Sequence, residues 1–153
     1  MQGCVFAPGG AEAVITPGTK SLPLPGETFQ LDGHDAFMIL PEGAAKDIPW
    51  VWYAPTLKGL PAKSEVWMFE RFLKAGIAIA GIDVGESYGS PTGRGIYDAF
   101  YAYLVEERGF GAKPVLLARS RGGLMLYSWA IGNPQSVGGV AGIYPVCNIA
   151  SYP

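Results

Sequence analysis

Leu116-Leu117-Ala118-Arg119-Ser120-Arg121-Gly122-Gly123 is the stretch on which the reading of this chain turns. Its first residues, with Val115 before them, read as a buried apolar strand. Gly122 and Gly123 open an apolar run to Ile131, long enough for a helix. Between strand and helix there is room only for a sharp turn, with Ser120 at its apex. A small residue two places before the serine and a glycine two places after let the two elements approach closely. A turn of this kind lifts a hydroxyl above the end of a sheet.

The segments upstream alternate in the same way. Residues 77–82 are apolar on both faces, as a central parallel strand should be. A helix over about residues 64–75, with Ser64 as its cap, precedes them, and Gly76 ends it. A second helix spans about residues 93–108 and leads to the strand at 114–118. Residues 49–54 are an aromatic and β-branched strand. Before it, residues 28–31 and 36–40 flank Asp32-Gly33-His34-Asp35, whose Asp-Gly pair favours a tight hairpin turn. After the serine helix, residues 140–144 form a sixth strand. The pattern is an α/β fold: a mostly parallel twisted sheet of about six strands, an antiparallel hairpin at its start, and helices on both faces. Residues 1–26, rich in Gly and Pro, read as an extended, loosely held arm, and residues 27–153 as the domain proper.

Composition bounds the possible functions. Charged residues are 16% and hydrophobic residues 49% of the chain, against about a quarter charged in an ordinary soluble domain. The excess implies apolar surface meant to be covered by a partner subunit or by further sequence. A net charge of -2 without a run of Lys or Arg gives no footprint for nucleic acid. Cys4 and Cys147 are far apart and read as free thiols in a reducing, cytoplasmic setting. The first eight residues lack the marks of a signal peptide, and no apolar run approaches the ~18 residues of a membrane span. One histidine and two distant cysteines cannot build a zinc set, and the glycines form no phosphate loop, so no metal or cofactor is expected.

With the element order, the Ala118-Arg119-Ser120-Arg121-Gly122 turn and the Asp83-Val84-Gly85-Glu86-Ser87-Tyr88-Gly89-Ser90 loop in hand, the chain resembles the α/β-hydrolases. The likeness runs from about residue 28 to the end and is nearest to esterases and prolyl-oligopeptidase-like hydrolases with a Ser-Arg-Gly-Gly elbow. It implies that Ser120 is a nucleophile and that the Arg121 backbone N–H is one oxyanion donor. The second donor is expected from the loop after the third strand. Pro55 has no N–H, so Thr56 or Leu57 supplies it. Glu86, Ser87, Tyr88 and Arg119 are candidates for the pocket. The Arg119 and Arg121 side chains either grip a substrate carboxylate or form ion pairs, with Asp83 or Glu86 as partners. Asp83 and Glu86 either reach Ser120 or brace their own loop.

The resemblance also implies an acid after a seventh strand and a histidine after an eighth. From Arg121 to Pro153 there is no Asp, Glu or His. The sole histidine, His34, is expected in an exposed hairpin turn at a sheet edge remote from Ser120. The chain is therefore read as a C-terminally truncated hydrolase domain whose sixth strand is an open edge, inviting a homo-oligomer through that edge. Three readings follow. One is a carboxylesterase-type serine hydrolase of small acyl esters. Another is a catalytically impaired remnant that folds and self-associates. The last is a fragment that works beside a separate chain carrying the acid and the base.

Overall fold

The computed structural model describes residues 12–152, so Cys4 and the first part of the arm lie outside it. Seven strands form one mixed sheet: β1 (Ile15–Pro17), β2 (Glu27–Leu31), β3 (His34–Ile39), β4 (Trp50–Ala54), β5 (Ala78–Ile82), β6 (Val115–Arg119) and β7 (Gly139–Ile143). Their order across the sheet is β1-β2-β3-β5-β4-β6-β7. The pairs from β1 to β5 are antiparallel, and β5, β4, β6 and β7 run parallel. The expected α/β architecture is present, with one strand more than the six read from sequence. The additional strand lies in the arm, where three residues between Gly and Pro clusters carry too little pattern to be recognised.

Local chemistry explains most boundaries. Asp32 and Gly33 both take positive φ, 50° and 84°, and join β2 to β3 by a two-residue turn. This is the conformation in which the turn's twist matches that of its strands. The first helix, α1 (Val66–Lys74), follows a 3-10 turn at Lys63–Glu65. Ser64 is not its cap. The Glu65 carboxylate reaches back to the Ala62 N–H at 2.7 Å, while the Ser64 hydroxyl donates to the same oxygen at 2.9 Å. A carboxylate is favoured there by the exposed N–H groups of the helix start. Gly76, at φ 77°, closes α1 with the bonds of a Schellman end: its N–H to Leu73 O and the Ile77 N–H to Phe72 O. The second helix, α2 (Pro91–Ala102), begins two residues earlier than its periodicity suggests. Ser90 accepts from the Gly93 N–H, and Pro91 occupies the first helical position. Its last turn, Tyr103–Glu107, widens to π geometry.

Side chains of the central strands alternate between two faces. Trp52, Ala54, Ala80, Leu116 and Ala118 pack toward α2 and the third helix, α3 (Gly122–Gly132). Val51, Tyr53, Ile79 and Leu117 pack toward α1. Trp52 anchors the first face, with ring centroids 4.7 Å from Trp129 and 4.9 Å from Tyr97. No helix among the described residues is long and apolar enough to cross a membrane.

α3 packs tightly against the end of β4. A Cβ on Gly122 would lie 2.2 Å from Ala54 O, whereas one on Gly132, at the exposed end of the same helix, would meet nothing within 4 Å. Gly122→Ala should destabilise the protein by about 1–3 kcal/mol through overpacking. Gly132→Ala should leave stability unchanged or raise it by up to about 1 kcal/mol. Urea unfolding of the two variants beside the parent checks the contrast.

Candidate active site

Ser120 sits where β6 passes into α3, and its φ is 49°. For a serine this left-handed backbone is strained, at a cost of about 1–3 kcal/mol. Hydrogen bonds hold it there. The Ser120 N–H donates to Ile143 O at 3.0 Å, and the Ser120 carbonyl accepts from Gly123 N–H at 3.1 Å and Val146 N–H at 2.8 Å. The segment after β7 thus wraps the turn, and Gly123 leaves it room, since a Cβ there would meet Val146 O at 2.3 Å. The side chain of Ser120 is half-buried, and its hydroxyl makes no hydrogen bond among the described residues.

The loop after β4 lies beside this turn. A Cβ on Gly122 would also meet Pro55 N at 2.8 Å, so the start of α3 and the start of the loop are in contact. Thr56 is buried, its methyl seated over Gly81 of β5, and its hydroxyl has no partner among the described residues. The backbone N–H groups of Arg121, Thr56 and Leu57 likewise donate to nothing among the described residues. Among the described residues, the serine turn and the loop beside it thus carry three backbone N–H groups without an acceptor.

The arginines on either side of Ser120 are both paired. Arg119 meets Glu65, the buried carboxylate that starts α1, and its Nε donates to the Tyr144 hydroxyl at 3.1 Å. The Tyr144 bond first, and the nearby Tyr53 hydroxyl second, hold the guanidinium above its usual pKa. Burial pushes the Tyr53 phenol up to about 12, against the pull of Arg119 beside it. Arg121 pairs with Glu86 on the loop between β5 and α2. Of the partners named from sequence, Glu86 is thus found on Arg121. Glu65 was not foreseen, because it reads as an ordinary polar residue at a helix start.

The loop between β5 and α2 is braced from within. Asp83 accepts from the Gly85 N–H at 2.7 Å, and Tyr88 and Gly89 take positive φ. Gly89 is pressed against α3, where its carbonyl accepts from the Ser128 hydroxyl at 2.8 Å. Ser87 is packed against Gly93, and its hydroxyl has no partner among the described residues. Tyr88 faces Tyr152 with ring centroids 5.7 Å apart and borders a cleft of about 360 Å³ along α3, shared with Gly123, Leu124 and Cys147. A larger cavity of about 550 Å³ lies on the other side of the β4 loop, between Lys20, Lys58, Asp35 and Asp83.

His34 departs from the sequence reading in its burial. It is half-buried, not exposed, because it begins β3 immediately after the two-residue turn. It also lies at the carboxyl end of the parallel strands, since β3 runs antiparallel to β5. Its strand is still three places from β6, about 14 Å at the usual strand spacing. An imidazole there cannot hydrogen-bond to Ser120. Among the described residues no group of three or more His, Cys, Asp or Glu side chains is gathered as a metal site.

No protein-family model and no curated protein sequence matches the chain. Solved structures do. Est1E from Butyrivibrio proteoclasticus superposes with a TM-score of 0.57 at 18% identity, over 75% of this chain and 48% of its own. A cold-adapted esterase from an Arctic intertidal metagenomic library gives a TM-score of 0.59 at 11% identity, over 76% of this chain and 58% of its own. A thermostable carboxyl esterase from Bacillus coagulans gives 0.51 at 14% identity, over 77% and 43%. At these identities the likeness is one of fold: the chain has the α/β-hydrolase fold, and it spans about half the length of the structures it matches.

The two ion pairs differ in surroundings. Glu65 is 5% exposed, whereas Arg121 and Glu86 are 37% and 39% exposed. Arg119→Met strands a buried carboxylate and should cost about 3 kcal/mol. Arg121→Met should cost less than about 1 kcal/mol, and added salt should erase the difference from the parent. Denaturant titrations at low and high ionic strength check both.

Proposed function

We propose that this chain carries the nucleophile of a carboxylesterase-type serine hydrolase acting on small acyl esters through Ser120. The observation that carries the reading is the strained backbone of Ser120 at the β6–α3 turn, whose hydroxyl has no partner among the described residues. In this reading the Ser120 Oγ attacks the acyl carbon, and the carbonyl electron pair moves onto oxygen. The Arg121 N–H, with the N–H of Thr56 or Leu57, receives that oxyanion. Collapse expels the alcohol and leaves an acyl-serine, which water hydrolyses. The group that takes the serine proton is unassigned. Glu86, Ser87, Tyr88 and Arg119 contribute to the pocket as walls and braces, the charges of Glu86 and Arg119 being spent on protein partners. The exposed, unpaired Cys147 suits a reducing, cytoplasmic setting.

A specific observation favours a second reading. The Ser120 hydroxyl has no hydrogen-bonded base among the described residues, and triad members act as a unit. On that reading the chain is an impaired remnant with an assembled elbow and little turnover. p-Nitrophenyl acetate separates the two. The hydrolase reading expects acetylation of Ser120, seen as a burst and by mass spectrometry, and its complete loss in Ser120→Ala. Equal behaviour of parent and variant favours the remnant.

Self-association through the last strand belongs to the same proposal. β7 is paired on one side only among the described residues, and Val140 on it is 59% exposed. An open edge of this kind pairs readily with a second copy, giving a two-fold dimer with a continuous sheet. Light scattering at micromolar concentration should give a dimer for the parent and a monomer for Val140→Lys. A parent that is monomeric removes this part of the proposal.

A further inference from the structure

Lys20 lies in the arm between β1 and β2, yet its side chain ends against the loop after β4. Its Nζ is 2.8 Å from Thr56 O, 3.2 Å from Leu57 O and 2.8 Å from Leu60 O. An ammonium has three protons, so these carbonyls use its full donor capacity. A neutral amine would turn a lone pair toward one of them. Burial lowers the lysine's pKa, while Asp83 and Asp35 across the neighbouring cavity work to raise it.

This clamp sets the direction of the loop's donors. In a trans peptide the C=O and N–H point opposite ways. With Thr56 O aimed at Lys20, the Leu57 N–H of the same peptide is aimed away from it. The lysine stands on the side of β3 and β5, near Asp35 and Asp83. The β4 loop comes next across the sheet, and the Ser120 turn at the end of β6 lies beyond it. Away from Lys20 is therefore toward Ser120. Without the cation, converging carbonyl dipoles would repel one another in a half-buried place, and the peptides would rotate.

We infer that Lys20 is a positioning residue for catalysis: it gathers the Thr56, Leu57 and Leu60 carbonyls and so turns the Leu57 N–H toward the oxyanion formed at Ser120. The inference rests on the hydrolase reading of Ser120 and assigns Leu57, of the two sequence candidates, as the second donor. It also gives the arm a part in the chemistry.

The test is the rate at which p-nitrophenyl acetate acetylates Ser120 in the parent, Lys20→Met and Lys20→Arg, followed across substrate concentration. Donors realised only in the transition state change the maximal rate and leave the half-saturation concentration alone. Lys20→Met should lower the maximal rate about 10- to 100-fold at unchanged half-saturation. Lys20→Arg, which keeps the charge and several donors, should regain most of it. If Lys20→Met does not fold, Lys20→Gln, with two uncharged N–H donors, carries the same comparison. An unchanged maximal rate overturns the inference while the hydrolase reading stands. So does a loss that appears in half-saturation, or one that Lys20→Arg does not repair. A parent that is never acetylated at Ser120 overturns the hydrolase reading, and this inference falls with it.

Discussion

The backbone of one residue, held in a conformation it would not choose, organises the carboxyl end of the parallel strands. Ser120 occupies the left-handed region where β6 turns into α3 within two residues, Ser120 and Arg121. The strain is offset by hydrogen bonds that come from the far side of the turn, from Ile143 and Val146. β7 and the segment after it are therefore part of the support of the Ser120 turn. β7 extends the sheet and also supplies the carbonyl that fixes the serine's own N–H.

Packing beneath the turn makes the same demand from the other direction. Ala118 and Gly122 remove side chains where α3 crosses β4, and the helix sits down on Ala54 O. Gly81 does the same for Thr56, letting its methyl rest on β5. Two close approaches thus bring three elements together, with backbone N–H groups nearby that have no acceptor among the described residues. Oxyanion chemistry requires donors that are fixed in advance and unpaired in the resting protein, so this arrangement is the physical basis of the functional reading.

Charge in this region is used for construction. Arg119 is tied to Glu65 and Tyr144, Arg121 to Glu86, and Asp83 to its own loop. The contacts of Arg119 and Arg121 join the serine turn to the start of α1, the segment after β7 and the β5–α2 loop. Lys20 does the same for the β4 loop from the arm. In a chain with few charges, those near the site are nearly all committed to holding loops.

The α/β class, the Asp-Gly hairpin, the C-terminal glycine of α1 and the Ser120 turn were all legible in the sequence, because each depends on local patterns: apolar periodicity, a residue tolerating positive φ, or small residues at fixed offsets from a serine. The strand at Ile15–Pro17, the half-buried placement of His34, the Glu65–Arg119 pair and the Lys20 clamp were not. Each of those joins residues far apart along the chain through contacts that leave no periodic trace. Local chemistry determined that a serine stands on a sharp turn above a parallel sheet. Only the folded arrangement decided which carbonyls, cations and amide hydrogens surround it, because strand order and crossovers, and not spacing in sequence, bring those groups together.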